Sequence, residues 1–600
     1  MNYFCNPMNL EYRYQLFKVC PEKGDCCEIH REAADPSLVL FKGTYYLFTS
    51  MTAGFFTSQT MEEWEYHCFS DEMPIYDYAP DVRVIGDYLY FSASKSEENC
   101  SFYRTKDPLG GSFEKIEGTF PFWDPNLFQD DDGKLYFYWG CSNIEPIYGV
   151  ELDQDTMHPI GEKIALICEG EGRNGFERTG EDHVPPKTEE EVEKTVQGML
   201  QQMPEGMEPE VQLIKQLYGW FGNSPYIEGA WMTKYQGRYY LQYATPGTEY
   251  NVYADGVYVA DAPLGPFRLA KNNPYSYKPG GFMAGAGHGS TMEDKSGRLW
   301  HTSTMRISKH HSFERRIGMW RAGFDEDGEL YCDQRYGDWP MRLDAEPWEM
   351  PEWMLLSYGK SVKVSSGEGA ENITDENART WWKAERAGMD EWAENDLGEV
   401  MDVRAVQINF ADDFEIMPEP EMKFYFDRQN HRAIDRERRK TRWLLEGSQD
   451  GIQYFTLADK SAAETDFSHD FLVWEKGRSL RFIRISAICL PFEQPPCISG
   501  IRVFGKGQGI LPEQTRNVRT ELIGEHPENA VDMIVSWEGA NAVGSNILWG
   551  YSPDKLYHSY LVFGKNEQKI GALVKGEPVY LRVDTFNENG ITEGKVQKVR

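Results

Sequence analysis

Asp35-Pro36-Ser37-Leu38-Val39-Leu40-Phe41-Lys42-Gly43-Thr44-Tyr45-Tyr46-Leu47-Phe48 is the stretch on which the fold turns. A short apolar run reaches a Lys-Gly turn and an aromatic run returns, which is the pattern of a β-hairpin. The unit recurs four times. Ala79-Pro80-Asp81-Val82 leads through Gly86-Asp87 to Tyr88-Leu89-Tyr90-Phe91, and Asp124-Pro125-Asn126-Leu127-Phe128 leads through Asp132-Gly133 to Leu135-Tyr136-Phe137-Tyr138. Glu228-Gly229-Ala230-Trp231-Met232 leads through Gln236-Gly237 to Tyr239-Tyr240-Leu241-Gln242, and Gly287-His288-Gly289-Ser290-Thr291-Met292 through Ser296-Gly297 to Leu299-Trp300-His301-Thr302. Five hairpins, each followed by more strand-like sequence, predict an all-β chain that begins with a five-bladed β-propeller over residues 1–345. The start of each repeat is then the inner strand, beside the axis. A β-sandwich of similar hairpins is the alternative, but a repeat this regular favours radial assembly.

The interval from Asp124 to Glu228 is about twice the others, and residues 171–220 account for it. Glu191 to Gly198 and Val211 to Trp220 have helical composition, with Pro204 and Pro209 between them. This reads as an insertion on one face, near the channel mouth.

Around the propeller, composition narrows the function. A chain of 600 residues requires several domains. A net charge of -34 leaves no basic footprint, which argues against nucleic acid as a partner and against an anionic membrane surface. The 11 cysteines are scattered without metal-type spacing, as expected of a reduced compartment. Met1 to Leu10 has neither a basic nor an apolar leader region, and no run approaches the roughly 18 apolar residues of a membrane span. The expectation is a cytoplasmic protein.

Three repeats open with a carboxylate, Asp35, Asp124 and Glu228, and one with His288. Burying a charge at the head of an apolar strand is costly. On a propeller the four would converge at one end of the channel. Converging carboxylates suit glycoside hydrolysis, in which one protonates the leaving oxygen and another activates water. Each also has a plainer reading: Asp35 and Asp124 precede proline and could open turns, Glu228 could sit in a buried ion pair, and His288 could simply fill the axis. Glu228, in the apolar run Ile227-Glu228-Gly229-Ala230-Trp231, is the stronger candidate for a general acid.

The ordered set Asp-Pro-Ser, Ala-Pro-Asp, Asp-Pro-Asn, Glu-Gly-Ala and Gly-His-Gly resembles glycoside hydrolase family 43 over residues 30 to about 340. The resemblance implies a five-bladed propeller and hydrolysis with inversion. It implies Asp35 as general base, Asp124 as the residue that orients the acid and tunes it, and Glu228 as general acid. It also implies His288 beside a bound calcium or other divalent cation. An inverting pair leaves room for water, so Asp35 and Glu228 are expected roughly 6.5–9.5 Å apart. Phe55, Tyr78 and Trp123 are candidate sugar-stacking aromatics, although core packing explains them equally well. Arg306 is the candidate substrate arginine, in competition with Arg315 and Arg316.

After Trp353 the pattern changes. Asn372-Ile373-Thr374-Asp375-Glu376-Asn377, Thr380-Trp381-Trp382, Glu446-Gly447-Ser448-Gln449-Asp450-Gly451 and Arg481-Phe482-Ile483-Arg484-Ile485 resemble a discoidin-like β-sandwich over 357–508. Such a module either binds glycan or braces the propeller. The charged stretch 417–441 reads as a solvated loop or short helix. Residues 513–600 resemble a fibronectin type III β-sandwich, with Trp537 in its core.

The leading expectation is an exo-acting enzyme on plant-derived oligosaccharides that releases a terminal α-L-arabinofuranose or β-D-xylose. An exo-β-1,3-galactanase or galactofuranosidase activity is the rival within the enzyme class. A non-catalytic glycan-binding propeller or a protein-interaction propeller would not need the three carboxylates.

Overall fold

A computed structural model describes residues 3–599 except 19–25, 71, 72, 74–78, 169–174, 185, 186, 204–208, 308–313, 414, 415, 419–423, 428–431 and 527–529. The five hairpins are five blades. The first is Ala34–Phe41, Thr44–Ser50, Gly54–Ser58 and Glu65–Cys68. The second is Asp81–Ile85, Tyr88–Ser92, Lys95–Thr105 and Glu114–Phe122, and the third is Asn126–Gln129, Leu135–Trp139, Ile147–Leu152 and Pro159–Ile167. The fourth runs through Glu228–Tyr235, Arg238–Thr245 and Ala254–Ala260, and the fifth through Ala284–Glu293, Leu299–Arg306, Arg315–Phe324 and Leu330–Cys332. The last two are joined by one parallel bridge, Ala254 to Ala286. The inner strands touch one another in cyclic order, first to second and finally fifth to first.

The ring is held by two repeated devices. Asp35, Ala79, Asp124, Gly229 and His288, at the head of the five inner strands, all have left-handed backbone, with φ of 50°, 48°, 49°, 61° and 52°. In blades one, four and five this is a β-bulge, in which two residues oppose one on the partner strand. A bulge re-aims the side chains beside it, and the strain it stores is common at functional sites. One turn deeper, a polar side chain of one blade accepts the backbone N–H of the next: Ser37 from Val82 at 2.9 Å, Asp81 from Leu127 at 2.7 Å, Asn126 from Met232 at 2.8 Å. Ser290 accepts from Leu38 at 3.0 Å, joining the fifth blade to the first, while between the fourth and fifth the direction reverses and Trp231 Nε1 donates to Thr291 O at 3.1 Å. Apolar clusters fill the spaces between neighbouring blades, including that between the fifth and the first, where Leu38 and Leu47 pack with Trp300 and Ile317. The N-terminal segment completes the closure, since Met8 N–H bonds Ile317 O at 2.9 Å and the Asn6 amide brackets Met319.

Two helices, Glu189–Leu200 and Val211–Phe221, stand between the third and fourth blades. Thr188 and Glu191 form a capping box at the start of the first. No helix among the described residues is long and apolar enough to cross a membrane.

Two β-sandwiches follow. In the first, the long strands Ala393–Phe410 and His469–Cys489 run through the fold with Cys497–Lys506 around a core that includes Trp382 and Trp443. The fully buried tryptophan of the Thr380-Trp381-Trp382 run is Trp382, while Trp381 is half-buried. The 417–441 stretch is not a free loop or helix in its described parts. Ile416–Pro418 and Arg432–Asp435 pair with the N-terminal hairpin Arg13–Lys18 and Cys26–Glu32. Long-range pairing decides this, and a local charge pattern does not report it. The second sandwich packs Arg516–His526, Ala530–Glu538 and Glu567–Val574 against a sheet centred on Gly544–Gly550 and Tyr580–Asn587. Its core, with Trp537 and Trp549, continues into Val252 and Tyr277 of the propeller.

Candidate active site

The bulged strand heads bring Asp35, Asp124, Glu228 and His288 to one cavity of about 380 Å³, lined also by Trp123, Cys141, Tyr226, Glu249 and Arg315. The imidazole is the hub. Its Nδ1 lies 3.4 Å from Asp35 Oδ1 and 3.8 Å from Asp124 Oδ2. Gly229 sits against this ring, where a Cβ would come within 2.8 Å of it, so glycine is required both there and by its positive φ.

Asp35 is fixed by four donors or charges: Ser50 Oγ at 2.7 Å, Thr304 Oγ1 at 3.3 Å, Arg315 at 3.4 Å and His288. Arg315 also pairs with Glu32 at 2.8 Å. Burial opposes the charge on Arg315, but Asp35 and Glu32 more than restore it. Asp124 and Glu228 present oxygens within 4.8 Å of each other and of Cys141 Sγ. Burial pushes the Asp124 carboxyl up to about 7, the positive imidazole pulling against this and Glu228 and Asp35 adding to it. For His288, burial works against the charged form, yet Asp35, Asp124, Glu228 and Asp255 outweigh it and hold its pKa above the usual histidine value. Buried Asp255 accepts the backbone N–H groups of His288 at 2.7 Å and Gly289 at 3.1 Å, fixing the bulge.

Glu228 accepts two hydrogen bonds, one per oxygen. Tyr253 Oη donates to Oε1 at 2.5 Å and Cys141 Sγ to Oε2 at 3.1 Å. Burial, and then the nearby carboxylates, raise both the phenol and the thiol well above their ordinary values, so both remain donors. Neither residue stands at the head of a repeat. Cys141 follows the second strand of blade three, and Tyr253 precedes the third strand of blade four. Both strand ends lie at the channel face where the inner strands begin, but the hairpin pattern does not say which side chain there turns to the axis.

Other expectations fare differently. Trp123 lines the cavity, half-buried. Phe55 does not: it is 3% exposed and stacks on Phe48 at 4.8 Å, because its ring turns into the apolar cluster between the first and second blades. Tyr78 lies outside the described residues. Arg306 also misses this cavity. It pairs with Glu181 and lines a neighbouring one. Its cross-strand partner Arg315 is the arginine at the carboxylates, and Arg316 turns away to Asp412 at 3.4 Å in the first sandwich. As for calcium at His288, the imidazole offers a nitrogen, and Asp35 already takes a guanidinium and two hydroxyls. Calcium gathers six to eight ligands, waters among them. The residues that would face such a cation are the His288 imidazole and the Asp35 and Asp124 carboxylates beside it, and no step below runs through a metal.

The chain is 26% identical over 274 residues to xylosidase/arabinosidase 43A of Humicola insolens, covering 43% of this chain and 75% of that protein. It is 29% identical over 170 residues to a β-xylosidase of Xylanibacter ruminicola, of which it spans only 43%, the match taking in 28% of this chain. A solved glycoside hydrolase family 43 protein of Bacillus licheniformis aligns at 12% identity and a TM-score of 0.39, over 98% of this chain and 91% of that one. The model of the glycosyl hydrolases family 43 matches residues 29–190 and 184–330, the five blades and half of the chain, so the chain belongs to that family.

Proposed function

We propose that the protein is an inverting, exo-acting glycosidase that releases a terminal β-D-xylose or α-L-arabinofuranose from plant-derived oligosaccharides. The observation that carries this reading is the grouping of Asp35, Asp124 and Glu228 around His288 in a single cavity. At about 380 Å³ the cavity lies near the small end of the ligand-pocket range, roughly 300–1,000 Å³, which suits a terminal sugar better than a length of polymer. The names of the two relatives favour pentosides over galactosides.

In this reading Glu228 gives its proton to the glycosidic oxygen as the bond to the anomeric carbon breaks. Water attacks that carbon from the opposite face and passes a proton to Asp35, so the configuration inverts. The Tyr253 and Cys141 bonds strengthen as Glu228 becomes a carboxylate, and therefore assist the transfer. Cytoplasmic residence, with short imported oligosaccharides as substrate, belongs to the same proposal and rests on the cysteine pattern.

Glu228→Gln tests it. On the aryl pentoside that the parent cleaves fastest, kcat should fall roughly 10²–10⁴-fold, the usual worth of a general acid. Circular dichroism should be unchanged. A near-parental rate would remove Glu228 from the reaction.

A further inference from the structure

Arg31 and Glu32 end one strand, Cys26–Glu32, and Arg315 and Arg316 begin another, the third of blade five. The two pairs lie side by side, since Ala33 N–H bonds Arg315 O at 3.3 Å and Arg316 Nη1 bonds Arg31 O at 2.7 Å. We propose that Glu32 is a positioning residue for the general base Asp35, and that the first sandwich holds it in place through Asp412 and Asp466. This rests on the glycosidase reading given above.

Glu32 acts through Arg315. Nε and Nη2 of that guanidinium both donate to Glu32 Oε1, at 2.9 and 2.8 Å. The remaining amino group, Nη1, faces Asp35 Oδ1 at the longer distance of 3.4 Å. A guanidinium is planar and rigid, so the grip on one edge sets where the other points. A cation closer to Asp35 would favour its carboxylate form and make it a weaker acceptor for the proton of the attacking water. Glu32 holds Arg315 back from that contact while keeping it near enough to orient the base.

The sandwich enters one residue away. Neighbouring side chains of a strand point to opposite sides. Glu32 and Arg315 therefore turn towards Asp35, while Arg31 and Arg316 turn to the sandwich. Asp412 accepts the Arg31 backbone N–H at 2.9 Å and pairs with its guanidinium at 2.5 Å. Asp466 takes the same guanidinium through two bonds of 2.9 Å. Arg316 reaches Asp412 at 3.4 Å and His469 at 2.9 Å. All of these side chains are buried. Asp412 follows the long strand Ala393–Phe410 and Asp466 precedes its partner His469–Cys489, so both are anchored to the main sheet of the sandwich.

A brace alone does not need this chemistry. Replacing a buried ion cluster with packed apolar residues is often neutral or stabilising. Directional, charged bonds instead fix one register between the two strands, and the distances from Glu32 through Arg315 to Asp35 depend on that register.

The test uses the full chain as Glu32→Gln, Asp412→Asn and the double variant, each shown to be folded by circular dichroism and assayed below its thermal midpoint. The substrates are the dinitrophenyl and phenyl glycosides of whichever pentose the parent releases. Loss of an acid falls mainly on the poorer leaving group, phenol, whereas a misplaced base slows both. In Glu32→Gln, kcat should fall about tenfold on both glycosides with KM within about threefold, the effect of one displaced charged hydrogen bond. The double variant should be no slower than the slower single variant, because both act along one path. An unmoved kcat in Glu32→Gln, or a fall on the phenyl glycoside alone, overturns the positioning role. Losses that multiply in the double variant overturn the route through the sandwich. If Glu32→Gln does not fold, Glu32→Asp takes its place under the same criteria, since it keeps the charge and withdraws the oxygen. A parent that cleaves no glycoside would defeat the glycosidase reading and this one with it, whereas an active parent indifferent to Glu32 defeats this one alone.

Discussion

Tyr253→Phe removes one oxygen from the active site and leaves the ring that supports it. The ring packs flat against Gly287, where a Cβ would approach within 2.7 Å, so the phenyl group retains the local fold. What disappears is the 2.5 Å bond to Glu228 Oε1. A hydrogen bond to a charged group is worth about 1.5–3 kcal/mol. The bond is strongest once Glu228 has given up its proton, so the loss falls on the transition state more than on the bound substrate. At about 1.4 kcal/mol per factor of ten, kcat should drop about 10- to 150-fold with KM changed by less than about threefold. Steady-state kinetics on a nitrophenyl pentoside reads both constants. A kcat within about threefold of the parent across the pH range would mean that the phenol does not assist the acid, and the account of proton transfer given above would be wrong.

Two other outcomes follow from the same structure. Because burial holds the Asp124 carboxyl up at about 7, that group keeps its proton to about that pH and loses it above. The alkaline limb of kcat/KM should therefore bend near pH 7, and Asp124→Asn should displace it; a limb at the same pH in the variant would contradict this. The sign for stability is the same, since the folded state holds a proton the unfolded chain has released, so this group's contribution declines as pH rises from 3.8 through about 7. Asp412→Ala should cost about 3–5 kcal/mol in urea unfolding, because it strips a partner from fully buried Arg31 and Arg316 between propeller and sandwich. A loss under about 1 kcal/mol would show that this junction does not hold the domains together.

Much of the propeller could be read from the chain, for a physical reason. Asp35, Asp124 and His288 occupy equivalent left-handed positions, and such positions constrain the residues that follow: proline after Asp35 and Asp124, glycine after His288. The same constraint displaced one reading slightly. In blade four the left-handed residue is Gly229, so Glu228 stands one position before the repeat's equivalent and reaches the cavity from there. Cys141, Tyr253 and Arg315 were harder to find because they come from the ends of second and third strands, where hairpin periodicity says nothing about which side chain faces the axis. Phe55 failed because closeness in sequence to an inner strand is not closeness to the channel. The 417–441 segment failed because its partner is an N-terminal hairpin about 400 residues away, and no local pattern carries that pairing.

The stereochemistry of the first product tests the whole account most directly. Proton NMR during the earliest turnovers of a β-D-xyloside, before mutarotation, should show α-xylose accumulating first, as single displacement by water between Asp35 and Glu228 requires. Initial appearance of β-xylose would mean a covalent intermediate and a different assignment of the carboxylates.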